Sequence, residues 1–422
     1  MLAAAGCAAD SVTGRAPGTS AAADPADPAD PAVQRLAGAA ARTAPGDPAA
    51  ARTALASVGA AFLRATSGAA ANAVISPYSL YTVLAMARAG AIGTTADQLD
   101  SLLALPGAAA QGAAVTAVDA GIEAALQAGP SGKDQLHIQA ANQTWVQHDL
   151  DVHPEYLDEL ARQFGVSAVA ADFVAQPQRM RQAINAWVSD RTSGLIPELF
   201  PTDSISTDTR LVLVNALWLK AAWAQPFSPA TKGQFRTPGG VVDVPMMNAS
   251  SQVVGARGAR WSAATVPYAG SGLRMTLLVP DPGTFDALLG ALDGDLVAAA
   301  SEDSMRYQLT MPTFAITSAP DVLQAAKALG VTDIFDPGGA ADLSGIAGEP
   351  GWLHADAFVH QARISVDENG TQAAAATGMG MSASGAPAPA PALVIDRPFV
   401  FWIADTKTGA PLFLGTVTDP LG

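Results

Sequence analysis

Apolar residues recur at helical spacing through the first half of this chain and at strand spacing through the second. Leu55, Val58, Phe62 and Ala65 follow the start signal GDP at Gly46–Pro48, which predicts a helix opening near Pro48. VISPYSLYTVLAMARAGAIG, from Val74 to Gly93, predicts a second helix opened by Ser-Pro and closed by Gly90 to Gly93, with an Ala-rich helical region continuing to about Gln127. HPEYLDELARQFG and RMRQAINAWVSDRTSG predict two more, stopping at Gly165 and Gly194, because glycine tolerates the left-handed residue that ends many helices. IQAANQTWVQ, from Ile138 to Gln147, reads as a strand between them.

After Leu211 the pattern is one of strands: LVLVNALWLKAAW, VVDVPMM, ATVPYAG, LRMTLLVPD, YQLTMPTFAI, ARISVDENG, FVFWIAD and PLFLGTV. Helical spacing returns only at Phe285–Leu292 and in APDVLQAAKALG. Helices first and long strands later, with no regular strand–helix alternation and no internal repeat, predict an α+β fold and exclude a doubly wound sheet.

From Ala8 to Asp47 the chain is Ala, Pro, Gly and Asp, including DPADPADPA, and has almost nothing to bury. Such a stretch cannot offset its ordering entropy, so residues 1–47 read as a disordered tail or stalk and residues 48–422 as the folded domain. Within the tail, MLAAAGCAAD is similar to the end of a lipoprotein signal, although the charged and long apolar parts of such a signal are absent. Cys7 then has two readings: a lipidated residue tethering an exported protein to a membrane, or an unpaired thiol in a tail. It is the sole cysteine, so no intrachain disulfide and no multi-cysteine metal site can form.

Of 422 residues 49% are hydrophobic and 14% charged, enough to bury a large core. The net charge of −15 and the lack of any Lys/Arg cluster exclude nucleic acid and anionic polysaccharides of the heparin type as expected partners. No Gly-x-Ser-x-Gly elbow, Walker loop, dinucleotide fingerprint or His-Glu-x-x-His is present. The five histidines are scattered, and His148 and His153 read as solvated loop residues. Asp158 and Glu159 face solvent by helical period, so they do not form a hydrolytic pair. No catalytic residue, metal or cofactor is expected, and the chain is not read as an enzyme.

Six segments carry a resemblance: NAVISPYSLYTVLAMARAGA, LVLVNALWLKAAWAQPF, VPMM at Val244–Met247, ADLSGI at Ala341–Ile346, VHQARISVDENGTQAAAAT, and DRPFVFWIAD with GAPLFLGTVTDP. In this order they resemble the serpins, from about Pro48 to Pro420. The resemblance implies the serpin fold: a five-stranded sheet A, sheets B and C, about nine helices and an exposed reactive-centre loop at about 368–392. It implies a monomer whose partner is a serine protease, trapped as a covalent acyl complex when the cut loop inserts into sheet A. A non-inhibitory binding or carrier serpin, or an inhibitor of cysteine proteases, is the alternative. Export to the extracellular space or cell surface is expected with either.

By the same resemblance Ser76, Ser79, Asn215 and His360 form a polar cluster beneath sheet A, where the strands part, and Trp223 lies at the end where the loop enters. Ala221-Ala222 departs from the Gly-Lys that often precedes that tryptophan. Glu368, Gly370, Thr371, Gln372, Ala373, Ala374, Ala375, Ala376 and Thr377 match the hinge of inhibitory members.

The loop itself supports this chemically. A central strand must donate its N–H groups to its neighbours, and no proline occurs from Glu368 to Ala386; Pro387, Pro389 and Pro391 all follow. Strand alternation assigns Thr371, Ala373, Ala375, Thr377 and Met379 to one face, where small uncharged groups enter a core most readily. The family's usual spacing from Glu368 reaches Ser384–Gly385 as the bond cut, and Met381–Ser382 and Ala383–Ser384 stay open because the loop is longer than common. All are small or apolar, which suits an elastase-, subtilisin- or chymotrypsin-like protease rather than a trypsin-like one.

Overall fold

The computed structural model describes residues 33–67, 71–132, 135–270, 272–371 and 390–422, with the side chains of Ala141 and Asn215 excepted. Its first half is helical between short strands. β1 (Val33–Leu36) precedes α1 (Pro48–Thr66), and β2 (Ala73–Ile75) leads into α2 (Pro77–Arg88), α3 (Gly93–Leu103) and α4 (Gly107–Ala128). β3 (His137–Gln147), α5 (Pro154–Glu159), β4 (Ala168–Ala171) and α6 (Pro177–Arg191) complete this half. Asp47 and Ser76 cap α1 and α2, each accepting a backbone N–H with its side chain and each followed by a proline that has none to satisfy. α5 runs into a π-helical turn and stops at Gly165, whose φ of +66° is left-handed.

The second half is mostly strand: β5 (Leu211–Ala222), β6 (Thr231–Thr237), β7 (Gly240–Asn248), β8 (Val253–Arg257), β9 (Trp261–Pro267) and β10 (Leu273–Pro280). Two short helices, α7 (Phe285–Gly290) and α8 (Gly294–Ala300), precede β11 (Met305–Pro312) and β12 (Phe314–Ser318). α9 (Val322–Ala328) leads to β13 (Ala357–Asp367) and β14 (Gly370–Thr371), and the chain ends with β15 (Ala392–Val394), β16 (Phe399–Asp405) and β17 (Pro411–Val417).

These strands make an α+β fold of two sheets. The first has the order β1-β4-β3-β5-β14-β13-β12. The second has the order β2-β17-β16-β10-β9-β8-β11-β7-β6, with β15 on β11. β11 pairs with β8 through its first residues and with β7 through its last, so two of the three sheets expected are hydrogen-bonded into one. α2 is enclosed on every side, buried from Pro77 to Ala87.

The seam of the first sheet positions the site. β5 and β13 are parallel and pair directly from Val212–Ala357 to Ala216–Gln361. Beyond that point no pairing joins them among the described residues, and β14 fills the gap at its far end, antiparallel to both. The sheet therefore has seven strands rather than five, because the start of the loop and an N-terminal strand have each joined it.

The latter part of the expected tail differs from a stalk. β1 pairs with the outer edge of β4, and residues 37–46 then run across α5 and α4. Asp158 Oδ1 accepts Ala39 N at 2.7 Å and Ala40 N at 3.3 Å, so it faces this strap rather than bulk water. Thr43 N donates to Arg162 O at 2.9 Å, Gly46 N donates to Ala113 O at 3.0 Å, and Arg42 pairs with Asp119. An exposed sheet edge supplies backbone partners to any extended chain, so docking here needs no apolar pattern.

Candidate functional site

Where β5 ends, Trp223 gathers the start of the loop. Its backbone N donates to Asn369 O at 2.8 Å and its indole Nε1 to Asp367 O at 2.9 Å. Asp367 Oδ1 turns back to accept Asn369 N at 2.7 Å and Gly370 N at 3.2 Å, an Asx turn that reverses the chain. Glu368 fixes the turn to the neighbouring segment: its Oε1 accepts Ala230 N and its carbonyl accepts Phe227 N, both at 2.8 Å. Gly370 has φ +154°, and a Cβ there would lie 2.1 Å from Ala221 O, so only glycine fits this close approach.

Thr371 then points into the core, 2% exposed, on the face that strand alternation assigns it. Its Oγ1 shares a hydrogen bond of 2.6 Å with the hydroxyl of Tyr268, whose ring stacks on Trp223 with centroids 4.5 Å apart. Burial holds the Tyr268 phenol well above its ordinary pKa, so it stays neutral and available to this bond.

Among the described residues the polar cluster beneath the seam links Ser76 to both His360 and Ser79. Ser76 N donates to His360 Nε2 at 3.0 Å, and Ser76 Oγ accepts Ser79 N at 3.2 Å. Ser79 Oγ is buried with no partner among the described side chains. His360 is opposite Asn215 in the β13–β5 register, but the Asn215 side chain lies outside the described residues. Trp223 belongs to the hinge contacts above and not to this group. The imidazole is fully buried, which lowers its pKa to about 3, and an Nε2 that accepts from an amide agrees with a neutral ring.

The cluster has a defined place on the seam. His360–Asn215 is the last pair but one before the strands part, so an opening of the seam reaches it directly after Gln361–Ala216. Gln372, Ala373, Ala374, Ala375, Ala376 and Thr377 of the hinge, the candidate bonds among Met381, Ser382, Ala383, Ser384 and Gly385, and Cys7 lie outside the described residues. Sequence reasoning missed Tyr268, and nothing local could have found it, since it lies in the β9–β10 turn and is brought to Thr371 only by the fold.

Among the described residues no group of three or more His, Cys, Asp or Glu side chains could hold a metal ion. His148 lies beside Asp172 at 3.7 Å, and Glu159 pairs with Arg162. Both are surface contacts of the sort that contribute little.

Comparison with known proteins gives the family. A model described as serpin (serine protease inhibitor) matches residues 53–420. Serpin-Z2A of Oryza sativa subsp. japonica is 33% identical over 397 residues, covering 83% of this chain and 92% of the rice protein. Iripin-8 of Ixodes ricinus is 34% identical over 360 residues, covering 82% and 87%. Among solved structures, Serpin48 of Tenebrio molitor matches with a TM-score of 0.71 at 28% identity, covering 88% of this chain and 97% of that one. The native state of the thermophilic serpin tengpin shares the fold, with a TM-score of 0.74 at 24% identity over 91% and 97%. A family of inhibitors rather than catalysts accounts for a site built from a strand seam and a loop hinge, and the chain belongs to the serpins.

Proposed function

We propose that this serpin is an irreversible suicide-substrate inhibitor of serine proteases. Strand addition with release of stored strain is how serpins act in general. The observation that carries the reading here is the hinge: Gly370 and Thr371 already form a strand between β5 and β13, and below them those strands are parted. The next residues of a cut loop have a place to go as far as the Ala216–Gln361 pair, where β5 and β13 are still joined and must open.

The chemistry follows from that geometry. The protease's serine attacks the carbonyl of the residue before the cut, the following amide nitrogen leaves with a proton, and the loop remains esterified to the enzyme. Insertion of the segment after Thr371 then draws the acyl-enzyme along the seam before water can attack it. Small and apolar residues around Ser384–Gly385 favour elastase-, subtilisin- or chymotrypsin-like targets. The inhibitor acts as a monomer without cofactor, exported and either secreted or held at a surface through Cys7.

The test is incubation with elastase or subtilisin followed by denaturing electrophoresis. A complex that survives boiling in detergent is expected, and mass spectrometry of the released C-terminal fragment gives the cut. Cleavage without complex and without a rise in thermal stability would favour a binding or carrier role. A complex formed only with a cysteine protease would reassign the target class.

A further inference from the structure

The far end of the seam carries an arrangement that mirrors the near end. Leu211, the first residue of β5, turns both backbone groups toward β13: its N–H donates to Asp356 Oδ2 at 3.0 Å, and its carbonyl accepts Asp356 N at 3.2 Å. The same Oδ2 accepts Arg210 N at 2.7 Å. The other carboxylate oxygen lies 3.1 Å from His354 Nε2. Asp356 thus extends the β5–β13 pairing by one level, to the outer end of both strands.

The register says what this carboxylate replaces. Thr371 is opposite Ala221 on β5 and opposite Val366 on β13. Continued residue by residue, the first pairing brings Met381 opposite Leu211, and the second brings Met381 opposite Asp356. Both counts reach the same level because β5 and β13 keep one register throughout, Val366 standing to Ala221 as Ala357 does to Val212. An antiparallel residue opposite Leu211 would accept its N–H and donate to its carbonyl, the two roles that Asp356 now fills. A strand seated down to this level cannot coexist with both Asp356 bonds to Leu211.

We propose that Asp356 is a positioning residue for the last stage of loop insertion, a latch that holds the strand's place on Leu211 until the strand itself arrives. The inference rests on the inhibitory reading. It makes Asp356 act through Leu211, without contact to the protease. Displacement does not strand a buried charge, because a surface cleft lined by Arg210, His354, Asp149, Asp208 and Trp352 adjoins the pair. Once released, the carboxylate can be solvated there. The latch therefore resists spontaneous opening yet gives way to a strand that satisfies Leu211 equally well.

The test is hydrogen exchange at the Leu211 amide in the full chain, before and after the loop is cut by thermolysin, which cleaves without forming an acyl-enzyme. Before cutting, Asp356→Ala is expected to exchange at least tenfold faster than wild type at Leu211. Asp356→Asn, which keeps the shape and one acceptor oxygen but not the charge, is expected to exchange about threefold faster, since charge-assisted hydrogen bonds are roughly twice as strong as neutral ones. After cutting, all three are expected to be equally protected, because the inserted strand now covers Leu211.

Asp356→Asn alone decides the matter if Asp356→Ala does not fold. A variant still less protected than wild type after cutting would make Asp356 an ordinary support of β5 and overturn the latch. A variant as protected as wild type before cutting would overturn it too. If cut wild-type protein shows no rise in melting temperature, the inhibitory reading itself fails, a result distinct from either.

Discussion

The hydroxyls of Tyr268 and Thr371 lie 2.6 Å apart in a buried site, so the first inward side chain of the loop is already bonded inside the sheet. Tyr268→Phe would leave the Thr371 hydroxyl buried and unpaired, which costs about 1–3 kcal/mol. It is expected to loosen the hinge and raise the number of inhibitor molecules consumed per protease trapped. Adding Thr371→Val removes the orphaned partner, and the double variant is expected to return toward wild type in the same titration. Additive losses would show that the pair does not act as a unit.

Thr371→Arg places a charge on the buried inward face, next to Tyr268 and Trp223. An unpaired buried charge is too costly to carry into the sheet. The variant is expected to be cut as an ordinary substrate, its yield of detergent-stable complex falling at least tenfold. Wild-type yield would refute the account of the hinge.

Gly370→Ala forces a Cβ toward Ala221 O at 2.1 Å and a backbone angle that side chains disfavour. Strain of about 1–3 kcal/mol is expected, enough to expel β14. The loop should become easier to cut at low protease concentration, measured as initial cleavage rate, while complex yield falls.

His360 gives a pH dependence with a definite sign. Its folded pKa is lowered to about 3 from an ordinary 6.5. Below pH 6.5 the unfolded chain takes up a proton that the folded chain refuses, so stability is full above 6.5 and is lost as pH falls toward 3. The slope is up to about 1.4 kcal/mol per pH unit. Burial pushes the carboxyls of Asp119 and Asp405 up, which biases the other way in acid, so the informative quantity is the difference from His360→Gln. That difference in melting temperature is expected to shrink steadily between pH 6.5 and 4.

Asp158→Ala removes the acceptor for two backbone N–H groups of the N-terminal strap. Limited trypsin digestion at Arg35 and Arg42 is expected to quicken severalfold, with the serpin domain otherwise intact. Unchanged digestion would mean that β1 and the contacts of Arg42, Thr43 and Gly46 hold the strap without Asp158.

How much was legible depended on the kind of contact. Local chemistry was readable: Asp47 and Ser76 as caps, Gly165 as a left-handed stop, Thr371 inward by alternation. Ser76, His360 and Trp223 were reached through family resemblance, since no spacing links residues so far apart in sequence. Tyr268 and Asp356 were not legible at all, because each matters only through a partner that the topology supplies. β6 was missed because its residues are largely exposed and polar, and β8 because it is only five residues long. The strap at residues 33–46 escaped because it is held by backbone groups and a few side chains, which leave no hydrophobic period to read.

That strap also sets an orientation. Val33 is opposite Ala171, Ala171 is opposite Gln147, and β3 beside it meets Leu211 through Val146, so the chain enters the domain at the Asp356 end of the sheet. The hinge lies at the other end. Anything that fastens the protein upstream of Val33 therefore attaches at the end of the sheet opposite Gly370 and Thr371. Under the proposed inhibitory reading, a protease drawn down the seam would finish at the end of the sheet where the chain enters the domain, near Val33.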